Sequence, residues 1–323
     1  MGSGEESVSE NGPDTEFKTG FVALIGRPNA GKSTLLNKLL GSKLAITSAK
    51  PQTTRNRIAG IHTDDNMQAI LVDTPGIHDA WTELNKAMVR MAVSALDDVD
   101  VICWLGDMTE LAQRVERKLA VLDAQDERIA ESIAASGKPV IFIANKIDVV
   151  PYPLVLPVID AVSKTLKLAA AIPLSALTGD GVPGLLKELL AHLPAGPALY
   201  PEDEWTQVSE RFLAAEIIRE KIFHLTAQEV PYATFVDVVR FDESERESKK
   251  LLSIYADVVV ERGTQKGIII GKGGEMLKRI GTLARKDLQE TLDCRVYLEL
   301  FVKVEKDWTK TSRGLRKVGF DNL

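Results

Sequence analysis

Cysteine is scarce in this 323-residue chain: Cys103 and Cys294 are the only two. Each has hydrophobic neighbours, which argues against a disulfide scaffold and against a thiolate metal site. There is no apolar run of about 18 residues, the length a membrane-spanning helix requires. An excess of positive charge is also missing, since 40 Lys and Arg face 46 Asp and Glu for a net charge of −6. Any nucleic-acid surface is therefore expected as a local patch. The first 20 residues are polar and acidic where a secretion signal would be basic and then greasy, and Glu6 stands where a myristoylation pattern wants Ser or Thr. These absences predict a soluble, cytoplasmic protein with a disordered acidic tail over residues 1–20.

What is present is ample for two packed units, with 45% hydrophobic residues. Over residues 21–193, the apolar runs "FVALIG", "MQAILVDTPG", "DVICWLGD", "PVIFIANKID" and "AAIPLSAL" alternate with helical patterns or loops. This predicts an α/β unit with a parallel-rich sheet, helices on both faces, and ligands at the carboxyl ends of the strands. Residues 194–205, rich in proline and acid, read as a linker. Residues 206–323 predict an α+β unit. Its helices lie in "SERFLAAEIIREKIFHL" and "EMLKRIGTLARKDLQETLD", and its strands in "ATFVDVVRFDE", "SIYADVVVER" and "RVYLELFVKVEK". Residues 201–250 hold 7 basic and 12 acidic residues, a net of −5, whereas residues 251–323 hold 14 and 10, a net of +4. The basic surface is confined to the last part.

The stretch "GRPNAGKS", residues 26–33, fits G-x-x-x-x-G-K-[ST] between a predicted strand and a predicted helix. That pattern cradles phosphates: Gly26 and Gly31 permit the turn, and Arg27, Pro28, Asn29 and Ala30 supply its backbone. Lys32 reaches the outer phosphates, the Ser33 hydroxyl suits Mg²⁺, and Thr34 follows at the helix start. "DTPG" places Asp73 for the Mg²⁺ shell and the Gly76 amide for the γ-phosphate, with Thr74 and Pro75 between them. "NKID", with Asn145, Lys146 and Asp148, selects the base. A carboxylate at Asp148 accepts from guanine N1–H and the 2-amino group, neither of which adenine offers, so the nucleotide expected is GTP or GDP. "SAL", with Ser175, Ala176 and Leu177, would set the Ala176 amide near guanine O6, although a turn after a strand accounts for these residues equally well.

The order and spacing of these motifs resemble the translation-factor-related GTPases, and "SAKPQTTRNRIAGIHT" resembles the switch I region of the Era family. The resemblance implies that Thr54 closes over Mg²⁺ in the GTP state, completing a set of Ser33, Thr54 and Asp73. Thr53 is the second choice, and a plain strand-edge role for both is the alternative. Ile77 follows "DTPG" where Ras-like enzymes carry a water-orienting glutamine, so slow hydrolysis is expected. The resemblance also implies that Asn29 helps hold K⁺ beside the phosphates, against the reading that it serves the turn alone. Thr54 and Asn29 are thus the catalytic candidates, and His78 reads as a switch residue rather than a base.

A second glycine loop, "GKGG", stands in "IIIGKGGEML", which reads as strand, tight turn and helix. A KH domain uses such a G-x-x-G turn to clamp about four nucleotides of single-stranded RNA. Gly271, Gly273 and Gly274 would admit the phosphates, and Lys272, Lys278 and Arg279 would supply charge, with Arg285 and Lys286 further along the helix. "YPEDEWTQVSERFLAAEIIREKIFHLTAQEVPY" and "RKDLQETLDCRVYLELFVKVEKDW" resemble the C-terminal part of the Era family, with its type II KH domain. That resemblance implies a bacterial-type GTPase using Mg²⁺. It would bind the 3′ end of small-subunit ribosomal RNA when loaded with GTP and act in 30S subunit assembly. DNA is not an expected partner, and a peripheral contact with the inner membrane is a competing use of the second loop.

Overall fold

The computed structural model describes residues 16–48, 50–77 and 82–320. His78 and residues 1–15 lie outside that range. Six strands form the first sheet: β1 (Lys18–Gly26), β2 (Ile58–Thr63), β3 (Met67–Asp73), β4 (Val101–Asp107), β5 (Val140–Asn145) and β6 (Ala170–Leu174). Their spatial order is β2-β3-β1-β4-β5-β6. Helices α1 (Lys32–Leu40), α2 (Glu83–Ser94), α3 (Met108–Glu116), α4 (Ala124–Ser136), α5 (Val155–Thr165) and α6 (Val182–His192) connect them. Nearly every residue of β4 and β5 is buried, as central strands covered on both faces require. β1 pairs in parallel with β3 on one side and β4 on the other. The strand order therefore turns at β1, and the crevice beyond its carboxyl end opens there.

The sheet has one strand beyond the five read from the sequence. β2 runs antiparallel to β3, pairing Ile58 with Asp73 through to Thr63 with Gln68. Its half-buried residues do not form a continuous apolar run, so the pattern that marks the interior strands is absent. The expected tail of residues 1–20 also needs correction, because Lys18, Thr19 and Gly20 are part of β1 and pair with Met67, Gln68 and Ala69. Nor does the expected linker hang free. The Thr19 amide donates to Pro194 O at 3.0 Å, and the amides of Leu199 and Tyr200 donate to Gln68 Oε1 at 2.8 and 2.9 Å.

The C-terminal unit contains α7 (Glu210–Leu225), β7 (Thr234–Asp242), α8 (Arg246–Lys249), β8 (Leu251–Val260), α9 (Gly263–Ile270), α10 (Glu275–Leu292), β9 (Arg295–Val304) and α11 (Ser312–Lys317). β7 pairs antiparallel with β8, and β8 pairs parallel with β9. Here the run "GIII", read as a strand before "GKGG", is the end of helix α9. A short apolar run has no helical or strand period of its own. The side chain of Gln265 accepts from the amides of Glu261 and Arg262 at 3.0 Å and starts a helix there. Ile269 faces the core while Ile268 is exposed, a division that an aliphatic triplet does not announce.

A contiguous apolar core joins the two units, running from Leu24 and Leu71 of the first sheet through Leu213 and Ile217 of α7 to Ile254, Ala256 and Leu288. A separate cluster packs Leu84, Ala87 and Met88 of α2 against Phe235, Val259, Trp308, Leu315 and Phe320. Trp308 is fully buried there, and its indole N–H donates to Ala233 O at 3.0 Å. Among the described residues, no helix is long and apolar enough to cross a membrane.

Candidate functional site

The chain leaves β1 at Gly26 and enters α1 at Lys32, and the turn between them is tied down from several sides. At Gly31, φ is +98° and an added Cβ would stand 2.1 Å from Asn145 Nδ2, so no side chain fits. Asn145 is buried and acts as a brace: its Nδ2 donates to Ala30 O at 2.7 Å, and its Oδ1 accepts from the Ala176 amide at 2.9 Å. The Ala176 N–H that was expected to face the base is thus used on Asn145. "DTPG" lies directly against the turn, since a Cβ at Gly76 would meet Pro28 N at 2.6 Å. Thr74 is buried and donates to Leu24 O at 2.9 Å. Asn29 has φ +64°, so a left-handed residue does sit in the turn.

Lys32 folds over its own loop, donating to Gly26 O at 3.1 Å and Arg27 O at 2.9 Å. Burial pulls its ammonium down to about 8, and Asp73 opposes that shift. Three oxygens meet beside it. Ser33 Oγ donates to Asp73 Oδ2 at 2.7 Å, Thr54 Oγ1 donates to the same oxygen at 3.0 Å, and the two hydroxyls are 2.9 Å apart. Burial raises the pKa of Asp73, while Lys32 and the two hydroxyls oppose the rise. Its other oxygen, Oδ1, is buried without a hydrogen-bond partner. A carboxylate oxygen left unsatisfied beside two hydroxyls is a set of hard donors, and it fits Mg²⁺.

A cleft of about 530 Å³ opens over this corner. It is lined by Pro28, Asn29, Gly31, Lys32, Ser33, Thr34, Gln52, Thr53, Thr54, Gly76, Asp107 and Lys146, together with residues 46–48. The structure therefore gathers the phosphate loop, the candidate switch threonines and the first part of "NKID". Arg27 points elsewhere, toward Glu110, Asp123 and Asp126 at 3.1, 3.0 and 3.4 Å. Asp148 is exposed just after β5, Ser175 is buried, and Leu177 is exposed. Ile77 is buried in the core, donating its amide to Gly26 O at 3.2 Å and accepting from Gln125 Nε2 at 2.8 Å. Sequence reasoning missed Asp107, which holds Lys146 Nζ at 2.5 Å; its position at the end of a strand in "DVICWLGD" was the available signal.

The second loop is open. Gly271, Gly273 and Gly274 have φ of +72°, +62° and +84°, and a Cβ at Gly273 or Gly274 would meet nothing within 4 Å. A cleft of about 470 Å³ runs from Gly274 along α10 and β9, lined by Leu277, Lys278, Gly281, Thr282, Arg285, Leu298, Glu299 and Leu300. Lys272, Gly273 and Arg279 are exposed but do not line it. The "GIII" side chains are not in its lining either, and Val296 is buried in the core.

A family model described as a 50S ribosome-binding GTPase matches residues 21–146, and one described as a KH domain matches residues 229–309. GTPase Era of Syntrophus aciditrophicus is 50% identical over 313 residues, covering 97% of this chain and 98% of its own length. GTPase Era of Geobacter metallireducens is 47% identical over 307 residues, covering 95% and 99%. The chain belongs to the Era family. Its fold is similar to two solved structures of that family: an Aquifex aeolicus Era variant bound to GDP·AlF4⁻, and an Era in complex with MgGDPNP and nucleotides 1506–1542 of 16S ribosomal RNA. Each gives a TM-score of 0.87 at 41% identity, covering 94% of this chain and 99% of the other. The molecule is a P-loop GTPase domain with a parallel-rich sheet, joined to a C-terminal KH domain.

Proposed function

We propose that this protein is a GTP-dependent switch that hydrolyses GTP slowly and grips the 3′ end of small-subunit ribosomal RNA in its GTP state, serving 30S assembly. The observation that carries the reading is the meeting of Ser33, Thr54 and the partnerless Oδ1 of Asp73 in one buried corner beside Lys32. Relatives of the family named GTPase Era, and one solved in complex with MgGDPNP and 16S ribosomal RNA, support it. In this reading residues 21–193 form the GTPase unit, 194–205 connect, and 206–323 bind RNA.

Backbone N–H groups of the loop, to which Pro28 contributes none, face the phosphates, and Lys32 exchanges its two loop carbonyls for the outer phosphate oxygens. Bound Mg²⁺, held by Ser33, Thr54 and Asp73, would neutralise charge that develops on the β- and γ-phosphates. Asp148, exposed just after β5, accepts guanine's N1–H and 2-amino group in this reading. Ile77 brings no polar group to an attacking water, so the γ-phosphate itself takes the proton and turnover is slow. Hydrolysis measured in K⁺ and again in Na⁺ tests Asn29, since a dependence on K⁺ is the expected result and equal rates assign that residue to the turn. In the C-terminal unit, "GKGG" and the cleft along α10 receive the RNA backbone and bases, with Lys272, Lys278 and Arg279 beside them.

The deciding experiment measures affinity for a short RNA matching the 3′ end of small-subunit ribosomal RNA, with a non-hydrolysable GTP analogue and with GDP. Tight, sequence-selective binding with the analogue alone is the expected outcome. Equal binding in both nucleotide states would sink the switch.

A further inference from the structure

Three consecutive residues between α1 and β2 divide their bonds between the two units. Thr53 offers its carbonyl to Arg219 of α7. Thr54 turns to Ser33 and Asp73. Arg55 turns the opposite way, and its Nη1 donates to Thr234 O at 2.8 Å while its Nη2 donates to Pro231 O at 3.0 Å and Tyr232 O at 2.9 Å. Arg55 is only 5% exposed, and the Trp308 ring lies 5.8 Å from its guanidinium carbon. The same segment is held further back by Lys50, whose amine donates to the carbonyls of Phe223 and Thr226.

This is an unusual seat for a full charge. Buried cations are normally matched by carboxylates, whereas the hydrogen bonds of Arg55 to Thr234, Pro231 and Tyr232 all run to backbone carbonyls at the entrance to β7. Burial pulls the guanidinium down to about 9; Arg219 adds to the fall and Glu216 opposes it. Backbone carbonyls are fixed in space by the chain that carries them, so the fold of the C-terminal unit sets where Arg55 stands. Adjacent Cα atoms are about 3.8 Å apart. A backbone shift at Thr54 is therefore passed to Arg55, and the reverse holds too.

We propose that Arg55 is a positioning residue for GTP hydrolysis: seated in the carbonyls of the C-terminal unit, it holds Thr54 against Ser33 and Asp73. The RNA-binding unit is then part of the framework of the hydrolysis site as well as a recipient of its signal. The proposal rests on the reading of Thr54 as the switch threonine.

The test uses the full-length chain as wild type, Thr54→Ala, Arg55→Ala, Arg55→Lys and the Thr54→Ala/Arg55→Ala double variant. GTP hydrolysis is measured at saturating GTP, with GDP affinity as the measure of an intact phosphate loop. Arg55→Ala is expected to lower kcat about 10- to 100-fold at unchanged GDP affinity, the size of loss that an ångström-scale misplacement brings. Arg55→Lys, which reaches fewer carbonyls, should recover part of that rate. In the Thr54→Ala background Arg55→Ala should cost nothing more, because the two act as a unit. A wild-type kcat in Arg55→Ala, or an undiminished loss in the Thr54→Ala background, overturns the proposal. If Thr54→Ala is impaired while Arg55→Ala is not, only the positioning role falls. If Thr54→Ala keeps its rate, the switch reading falls and takes the positioning role with it. Should Arg55→Ala lose GDP binding, Arg55→Lys decides: reduced kcat at intact GDP affinity supports the role, and a wild-type kcat overturns it.

Discussion

The phosphate loop at residues 26–33 is enclosed and cross-tied, whereas the "GKGG" loop, packed against Met276 at Gly271, stands in the open at Gly273 and Gly274. A Cβ at Gly31 would meet Asn145 Nδ2 at 2.1 Å, while one at Gly274 would meet nothing within 4 Å. The first loop is braced by Asn145 through Ala30, by Lys32 through two of its own carbonyls, and by "DTPG" against Pro28. The second is tied by local backbone bonds, among them those from the Gly271 amide to Gly267 O at 2.9 Å, from the Gly274 amide to Gly271 O at 3.3 Å and from the Glu275 amide to Lys272 O. A ligand of fixed shape rewards a cradle built before it arrives, because the ordering cost is met in folding. A polymer must slide in from the side, and an open loop leaves it room.

The largest expected contrast comes from alanine at one glycine of each loop. Gly31→Ala combines a strained φ with a backbone-braced clash, and should cost about 3 kcal/mol or more in urea unfolding and abolish nucleotide binding. Gly274→Ala carries only the strain, about 1–2 kcal/mol, and should keep nucleotide affinity. Equal losses in the two variants would erase the distinction between a closed loop and an open one.

Next in size, Asp148→Asn should weaken GTP and GDP by about 100-fold or more without altering RNA affinity in the nucleotide-free state, since it removes an acceptor for guanine alone. Titration calorimetry measures both, and full GTP affinity in the variant would remove Asp148 from the base site.

The two regions are also linked by charge. Lys43, just beyond α1, reaches buried Glu220 of α7 at 2.6 Å and Asp287 at 3.1 Å on α10, the helix that "GKGG" opens. Lys221 shares both acids, so Lys43→Ala should cost about 1–3 kcal/mol in chemical denaturation rather than unfold the chain. No change would mean that this bridge does not contribute to holding the units together.

The smallest effect is expected at Asp126, one of the three acids on Arg27. Burial pushes its carboxyl up to about 6 from an ordinary value near 3.8, with Arg27 opposing. A folded-state pKa above the unfolded one means that the folded chain binds more protons between those limits, so this contribution to stability falls as pH rises from about 4 to 6. The unfolding free energy of Asp126→Asn relative to wild type should therefore rise across that window and level off above it. A difference independent of pH would contradict the shift.

Much of the first unit was legible because each of its interior strands is a continuous apolar run ending in a polar motif, as in "VIFIAN" leading to Lys146 and Asp148. β2 was not, because only half of its residues are buried and they form no continuous apolar run, and α9 was misread because "GIII" carries no period. In the site, Asp73, Ser33 and Thr54 come together as the motifs and the resemblance suggested, while the Ala176 amide is engaged by Asn145 and not left facing the base.

The sequence by itself determined which groups are the candidates for phosphate, metal and guanine, because residues 26–33, 73–76 and 145–148 carry their chemistry at short spacings that local turns deliver. Only the tertiary structure decided that Arg55 is buried on carbonyls 176 to 179 positions away, and that Lys43 ends beside Asp287. A lysine or arginine in a polar stretch is read as solvated, and nothing in its neighbours shows otherwise. Its burial depends on a surface that exists only once the two units have packed.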